Sequence, residues 1–193
     1  MADNHSVEEV KRVLRREYSA RRNAISAADK AVFDAKICDN IRSLEIFRET
    51  EFLAAFIRLG AEPDLSPLFS GKRLFLPRFN AAEGVYEMVA VEDIKRDLLP
   101  GKYGIPEPLP TLPAAEPEFL ASRVLFLVPA VACDRSGNRM GRGGGYYDRL
   151  LSGIKIPAIA TIYSCQLTTD TLPGTAHDVP MGTIVTEREV VEL

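Results

Sequence analysis

The segment RVLFLVPAV, residues 123–131, constrains this chain more than any other. From Val124 to Val131 it is apolar without a break, so a strand built from it has no face to offer to water. Such a strand must be covered on both sides, as in a parallel sheet sandwiched by helices. TEFLAAFI (50–57) and IPAIATIYS (156–164) read the same way, and MGTIVTE (181–187) reads as the last strand. Helical segments lie between them. The expected fold is therefore three-layer α/β, a largely parallel sheet flanked by helices. No part of the chain looks self-sufficient, so residues 1–193 are expected to form a single domain.

Val7, Val10, Leu14, Tyr18 and Ile25 fall on one helical face at about 100° per residue, which predicts a helix over roughly 7–24. Ser6 and Glu9 have the spacing of a capping box. Lys11, Arg15 and Arg22 border that face, while Arg12 and Arg16 point further outward. A second helix is expected from Ser26, with Asp29 at its third position, to about Leu44. A short helix is expected near 65–70. RLFLPRF (73–79) and VYEMVAV (85–91) read as paired strands around NAAEG, followed by a helical turn near 92–98. Residues 99–118 hold Pro100, Pro106, Pro108, Pro110, Pro113 and Pro117, which argues against regular structure. A loop of this length inside a compact unit is usually functional or disordered.

Several classes of function are disfavoured. A net charge of −3 does not suit a general nucleic-acid binder. No apolar run is long enough to span a membrane. The polar start MADNHSVEEVKRVLRRE lacks the apolar region of a secretory signal. Cys38, Cys133 and Cys165 are sparse and form no CxxC pair, which suits a reducing compartment and no structural zinc. A soluble, cytoplasmic protein is expected.

The chemistry concentrates in GNRMGRGGGYYDRLL, residues 137–151. It has neither the GxxxxGK[ST] spacing of a P-loop nor the GxGxxG spacing of a dinucleotide fingerprint. Its ingredients still suit an anion. It follows a buried strand and precedes a helix, where open α/β sheets bind ligands. Glycines let backbone N–H groups approach phosphate, and the next helix adds its N-terminal dipole. Arg139 and Arg142 can clamp oxygens, and Asp148 can hold Mg²⁺. A plain glycine-rich turn remains the alternative.

Residues 128–150, VPAVACDRSGNRMGRGGGYYDRL, resemble the signature of the 5-formyltetrahydrofolate cyclo-ligase family. KRVLRRE, FIRLGAEPDL, LLPGKYGIPEP and LPGTAHDVPMGTIVTE resemble further landmarks of that family in the same order. The resemblance implies a NagB/RpiA/CoA-transferase-like α/β fold, dependence on ATP and Mg²⁺, and a reduced-folate substrate. It implies ATP binding by Lys11, Arg15, Arg139, Gly141, Arg142, Gly143, Gly144, Gly145, Tyr146 and Tyr147. Arg139 and Arg142 would be catalytic, stabilising charge on the γ-phosphate. Glu62, Ile57 and Tyr147 would contact the folate. Asp148, with Asp178 second, would bind Mg²⁺. Tyr103, in the proline-rich loop, would help cover the site. For these residues the bland readings are a solvated basic face, a surface carboxylate at Glu62, a core tyrosine at Tyr147 and a static loop. His177 is expected to make only a structural hydrogen bond. The chain departs from the family pattern at Arg58, Cys133 and Gly182, which motivates a second reading: an ATP-binding paralogue with another substrate or no activity. A phosphosugar isomerase or CoA-transferase is suggested by fold alone. The expected partners are a reduced folate and ATP, without nucleic acid or membrane, and the chain is expected to be a monomer.

Overall fold

A computed structural model describes residues 4–101, 104–154 and 158–193. It opens with helices α1 (Asn4–Asn23), α2 (Ala27–Ser43) and α3 (Glu45–Glu49), which lead into strand β1 (Phe52–Ala54). A 3-10 turn at Ser66–Leu68 precedes the hairpin of β2 (Arg73–Asn80) and β3 (Val85–Val91). Then come α4 (Ile94–Asp97), the short strands β4 (Leu98–Pro100) and β5 (Pro106–Pro108), α5 (Pro117–Arg123) and β6 (Val124–Pro129). The chain continues through β7 (Ala132–Asp134), β8 (Arg139–Met140), α6 (Tyr146–Leu151), β9 (Ala158–Thr161), β10 (Leu167–Thr168), β11 (Thr183–Val185) and β12 (Val190–Glu192).

The main sheet has the order β12-β11-β9-β6-β1-β2-β3. From β11 to β2 all neighbours are parallel, and only the two edge strands run antiparallel. The expected three layers are present. Leu125 and Leu127 of β6 point into one core with Ile37, Ile41 and Phe47 from α2 and α3. Val124, Phe126 and Val128 point into the opposite core with Leu120 of α5 and Leu151 of α6. Both faces of β6 are thus dry, as its unbroken apolar run requires.

Local signals explain several boundaries. Ser26 caps α2 by accepting from the Asp29 N–H at 3.1 Å, and its hydroxyl donates back to the Asp29 carboxylate at 2.7 Å. Asn80 Oδ1 accepts from the N–H groups of Ala82 and Glu83, which tightens the NAAEG turn. A small second sheet, β10-β7-β8, supports the glycine-rich segment. Its hub is buried Asp134, which accepts from the N–H groups of Ser136, Asn138 and Leu172 and from the Asn138 amide. Burial opposes ionisation of this carboxyl, but those donors outweigh it and hold its pKa below the ordinary value.

The structure corrects the sequence reading in five places. Helix α1 already runs from Asn4, upstream of the expected cap. Its buried face is rotated: Val10 and Val13 are exposed, while Lys11, Tyr18 and Arg22 are buried. Residues 99–118 are not wholly irregular, because Pro100, Pro106 and Pro108 sit in a two-stranded pairing and Pro117 starts α5. Proline is tolerated there, on a short ribbon and in the first turn of a helix. The expected helix near 65–70 is only the 3-10 turn. The last strand is β12, which pairs antiparallel with β11.

Replacing Leu125 or Ile159, both fully buried, by alanine is expected to lower stability by about 2–5 kcal/mol. Ser26→Ala is expected to cost only about 1 kcal/mol. Urea unfolding of the three variants checks the ranking.

Candidate functional site

The site follows from the strand order. Beyond β1 the sheet continues through β2; beyond β6 it continues the other way through β9 and β11. The carboxyl ends of β1 and β6 are therefore neighbours whose following segments diverge, the usual place for a ligand crevice. A cavity of about 490 Å³ lies there. Phe56, Ile57 and Glu62 reach it from the β1 side, Pro129 to Val131 from β6, and Arg139 to Asp148 from the glycine-rich segment. Tyr86 of β3 and Glu107 of β5 close another side.

The glycine-rich segment is shaped by its neighbours. Gly143 has φ +101°, a left-handed conformation, and a Cβ there would sit 3.3 Å from the Arg15 guanidinium carbon. A Cβ on Gly144 would sit 2.4 Å from the Tyr146 ring. Helix α6 spans only Tyr146–Leu151, so the dipole expected from it is short, and side-chain cations dominate the local charge.

Those cations form linked pairs. Lys11 Nζ lies 2.8 Å from Asp178 Oδ2, which also accepts from the Thr175 N–H at 2.8 Å. Arg139 pairs with Asp148, whose same oxygen accepts from the Val179 N–H at 3.2 Å. The two carboxylates therefore meet at one segment, Asp178 belonging to it and Asp148 accepting from the N–H of the next residue. Arg15 Nε donates to the Gly141 carbonyl at 3.0 Å and its Nη1 to Glu8 at 2.6 Å. Arg142 donates to Glu62 Oε1 at 2.7 and 3.2 Å, while Glu62 Oε2 accepts from the Leu59 N–H at 2.8 Å.

This arrangement retains unused capacity. Arg139 Nε is buried and has no hydrogen-bond partner among the described residues. Among the described residues, Asp148 Oδ2 and Asp178 Oδ1 make no protein hydrogen bond. No group of three or more acidic, histidine or cysteine side chains gathers into a metal site among the described residues. That donor set suits Mg²⁺ held by one or two carboxylates beside phosphates rather than an all-protein cage. Burial opposes the charge of Asp178, but Lys11 and the Thr175 N–H hold its pKa below the ordinary value. Burial raises the Tyr147 pKa, so its phenol is a neutral cavity wall.

The segments named in the sequence reading converge here. Lys11, Arg15, Arg139, Gly141, Arg142, Gly143, Gly144, Gly145, Asp148 and Asp178 form one linked cluster, while Ile57, Glu62, Tyr146 and Tyr147 line the adjoining cavity. Glu62 is buried, not a surface carboxylate, and Tyr147 both packs on the core and lines the cavity. His177 is exposed and makes no hydrogen bond among the described residues, contrary to expectation. Tyr103 lies outside the described residues, but Ile105, Pro106 and Glu107 of the same loop do line the cavity. Arg78 ties that loop down through the carbonyls of Leu109 and Leu112. The sequence reading missed Tyr86, whose ring meets Tyr146 edge-on at 4.6 Å between centroids. Its strand was legible, but not which face would meet the glycine-rich loop.

Fold and site together define an α/β protein with a cavity lined in part by arginines at a parallel-sheet switch point. Comparison with known proteins narrows the class. Residues 7–187 match the model of the 5-formyltetrahydrofolate cyclo-ligase family. The chain is 35% identical over 152 residues to the 5-formyltetrahydrofolate cyclo-ligase of Mycolicibacterium smegmatis, covering 73% of this chain and 76% of that protein. Against the Escherichia coli protein of the same name it is 29% identical over 148 residues, covering 72% and 80%. The solved structure of Aquifex aeolicus 5,10-methenyltetrahydrofolate synthetase superposes with a TM-score of 0.82 at 32% identity, over 95% of this chain and 93% of that one. The chain belongs to the 5-formyltetrahydrofolate cyclo-ligase family and is by that membership a ligase.

The lowered pKa of Asp178 sets a pH dependence. A carboxyl whose folded pKa lies below its unfolded value of about 3.9 stabilises the fold above that pH, and the contribution is lost as pH falls through the folded value. Wild type is expected to be more stable than Asp178→Asn at pH 7, with the gap closing below about pH 4. Thermal melts of both proteins across pH 3–7 check this.

Proposed function

We propose that the protein converts 5-formyltetrahydrofolate and ATP to 5,10-methenyltetrahydrofolate, ADP and phosphate. The glycine–arginine loop holds the nucleotide, and the cavity between β1, β3 and β6 holds the folate. The observation that carries this reading is the Arg142–Glu62 pair. It stands where the cationic loop meets the cavity, so a phosphate on one side and a formyl group on the other can come together.

A formamide carbon is a weak electrophile, and its oxygen is a poor leaving group. Transfer of the γ-phosphoryl group to the formyl oxygen corrects both faults and releases ADP. The folate's own N10 then attacks the activated carbon. N10 gives up its proton, the C–O bond breaks, phosphate departs carrying that proton and the methenyl bridge remains.

For such a transfer the protein mainly positions groups and neutralises charge. Arg139 offers its unpartnered Nε to a phosphate oxygen. Arg142, half-exposed, can turn from Glu62 to the γ-phosphate. Lys11 and Arg15 reach the phosphate chain from α1. Asp148 and Asp178 would hold Mg²⁺, whose charge would offset that of the phosphates. Glu62, fixed by the Leu59 N–H, orients the folate head or its formyl group. Ile57, Tyr146 and Tyr147 supply apolar wall. In this reading the chain acts as a monomer in the cytoplasm, with neither nucleic acid nor membrane as partner.

The paralogue reading gains no support from the three departures. Arg58 is half-exposed and directed at Asp34, 3.8 Å away, rather than lining the cavity. Cys133 is fully buried beneath the loop, and its thiol pKa is pushed up to about 12 by burial. A Cβ at Gly182 would meet open space.

The near-ultraviolet absorbance of the methenyl product is expected to rise when enzyme, 5-formyltetrahydrofolate, ATP and Mg²⁺ are mixed, and not without ATP. Absence of product at high enzyme concentration overturns the reading. Arg139→Met is expected to lower kcat by about 10²–10³-fold, the scale of losing one aimed donor in a charge-stabilising site.

A further inference from the structure

The glycine-rich loop has to be held in shape by something other than itself. Gly141, Gly143, Gly144 and Gly145 lose more backbone freedom on ordering than other residue types do, and they bring no side chains to anchor it. Arg15 holds the first half: it donates to the Gly141 carbonyl at 3.0 Å and lies against Gly143. Arg149 holds the second half. Its Nη2 donates to the Gly144 carbonyl at 3.1 Å. A Cβ on Gly145, whose φ is +62°, would sit 3.1 Å from Arg149 Nη1. The Arg149 guanidinium carbon stands 5.1 Å from the centroid of the Tyr146 ring. That ring lies against Gly144, where an added Cβ would be 2.4 Å from it, and meets Tyr86 edge-on.

The local sequence produces this contact. Tyr146 and Arg149 are three apart in α6, so they share a face. Helical side chains lean back toward the N-terminus, which brings the Arg149 head over the Tyr146 ring and onto the loop before the helix. Unlike Lys11, Arg139 and Arg142, Arg149 pairs with no carboxylate among the described residues; its guanidinium contacts go to the loop and the ring. It works from behind. Gly144, Gly145 and Tyr146 line the cavity at the β1–β6 junction, whereas Arg149 faces a separate hollow against α5.

We propose that Arg149 is a positioning residue that pins the second half of the glycine-rich loop, holding Gly144, Gly145 and Tyr146 in one shape before ligand arrives. A loop already in its binding conformation spares the ligand the cost of ordering it. The inference rests on the reading that this loop holds the nucleotide, and it adds the residue that sets the loop's shape from outside the cavity.

The test compares wild type with Arg149→Met and Arg149→Lys. Trypsin cleavage after Arg142 in the ligand-free protein, read from the mass of the fragment that begins at Gly143, reports how firmly the loop is held. Thermal melts give stability, titration calorimetry gives the Kd of Mg·ATP, and steady-state kinetics give kcat and KM for ATP. Ligand-free Arg149→Met is expected to melt with wild type, because the residue is exposed, yet to be cut after Arg142 several times faster. Its Kd and KM for ATP are expected to rise about fivefold, the scale of one lost hydrogen bond. Its kcat is expected to stay within about twofold, the pattern of a loss shared by ground and transition states. Arg149→Lys is expected to recover little, because an ammonium does not replace a planar guanidinium stacked on a ring. Wild-type cleavage or wild-type ATP affinity in Arg149→Met, full recovery by lysine, which would make charge alone responsible, or a variant that melts well below wild type would each overturn the proposal. The cleavage measurement needs no nucleotide, so the two readings fail separately. Unchanged cleavage sinks the pin whatever ATP does; a wild type that binds no ATP overturns the nucleotide reading and, with it, the role of Arg149 in binding.

Discussion

Everything in this molecule depends on β6 being dry on both faces. With Leu125 and Leu127 in one core and Phe126 and Val128 in the other, the strand has to sit in mid-sheet. Its neighbours β1 and β9 are then parallel to it, and helices must cover each side. That placement makes the junction of β1 and β6 the point where the chain's two directions of growth part. The carboxyl end of β6 opens into the crevice, and the residues that follow it are those of the cationic loop. Hydrophobic burial thus decides where the charged chemistry lies, although no charged residue takes part in it.

Within the crevice the organising force is electrostatic. Lys11 and Arg142 each have a carboxylate from a distant part of the chain, 167 and 80 residues away, and Arg139 has one 9 residues further on. Like cations gathered in one crevice would repel one another, and the interleaved acids offset that repulsion. Under the proposed function, phosphate would have to compete with the same acids. The pairs differ in exposure: Arg139 is nearly buried at 3%, whereas Arg142 is exposed at 50%. Solvent screening weakens the second pair, so Arg142 exchanges partners more readily.

Much of this was legible in the sequence because it rests on local or strongly periodic signals. The apolar runs marked the sheet, Ser26 with Asp29 marked the start of α2, and the order of arginine, glycine, tyrosine and aspartate marked the loop. What stayed hidden depends on tertiary contact. Periodicity put Val10 inside and left Lys11 at the border, because apolar character was taken to define the buried face. In the fold, Lys11 is drawn in by Asp178, a residue no local pattern could pair with it. The β4–β5 ribbon was hidden for a related reason. Prolines that forbid a central strand are compatible with a short ribbon tied down by Arg78 from another element. The cavity wall was legible only in part, since Ile57 and Glu62 lie in a recognisable landmark whereas Tyr86 depends on how the hairpin meets α6.

Among the described residues, Arg139 and Arg22 have buried nitrogens without a hydrogen-bond partner. A chain selected for stability alone would replace each by an apolar residue of similar length, since unpaired buried donors lower stability. Arg139 lies against the Asp148 carboxylate in the cavity wall, whereas Arg22 stands in the last turn of α1. Under the proposed function, the unused Arg139 donor is an interaction withheld from the ligand-free state. A donor that gains its partner only when ligand arrives adds its hydrogen bond to binding rather than to folding, and one that gains it only as charge moves adds it to catalysis. The dry core around β6 supplies the stability that makes such withholding tolerable.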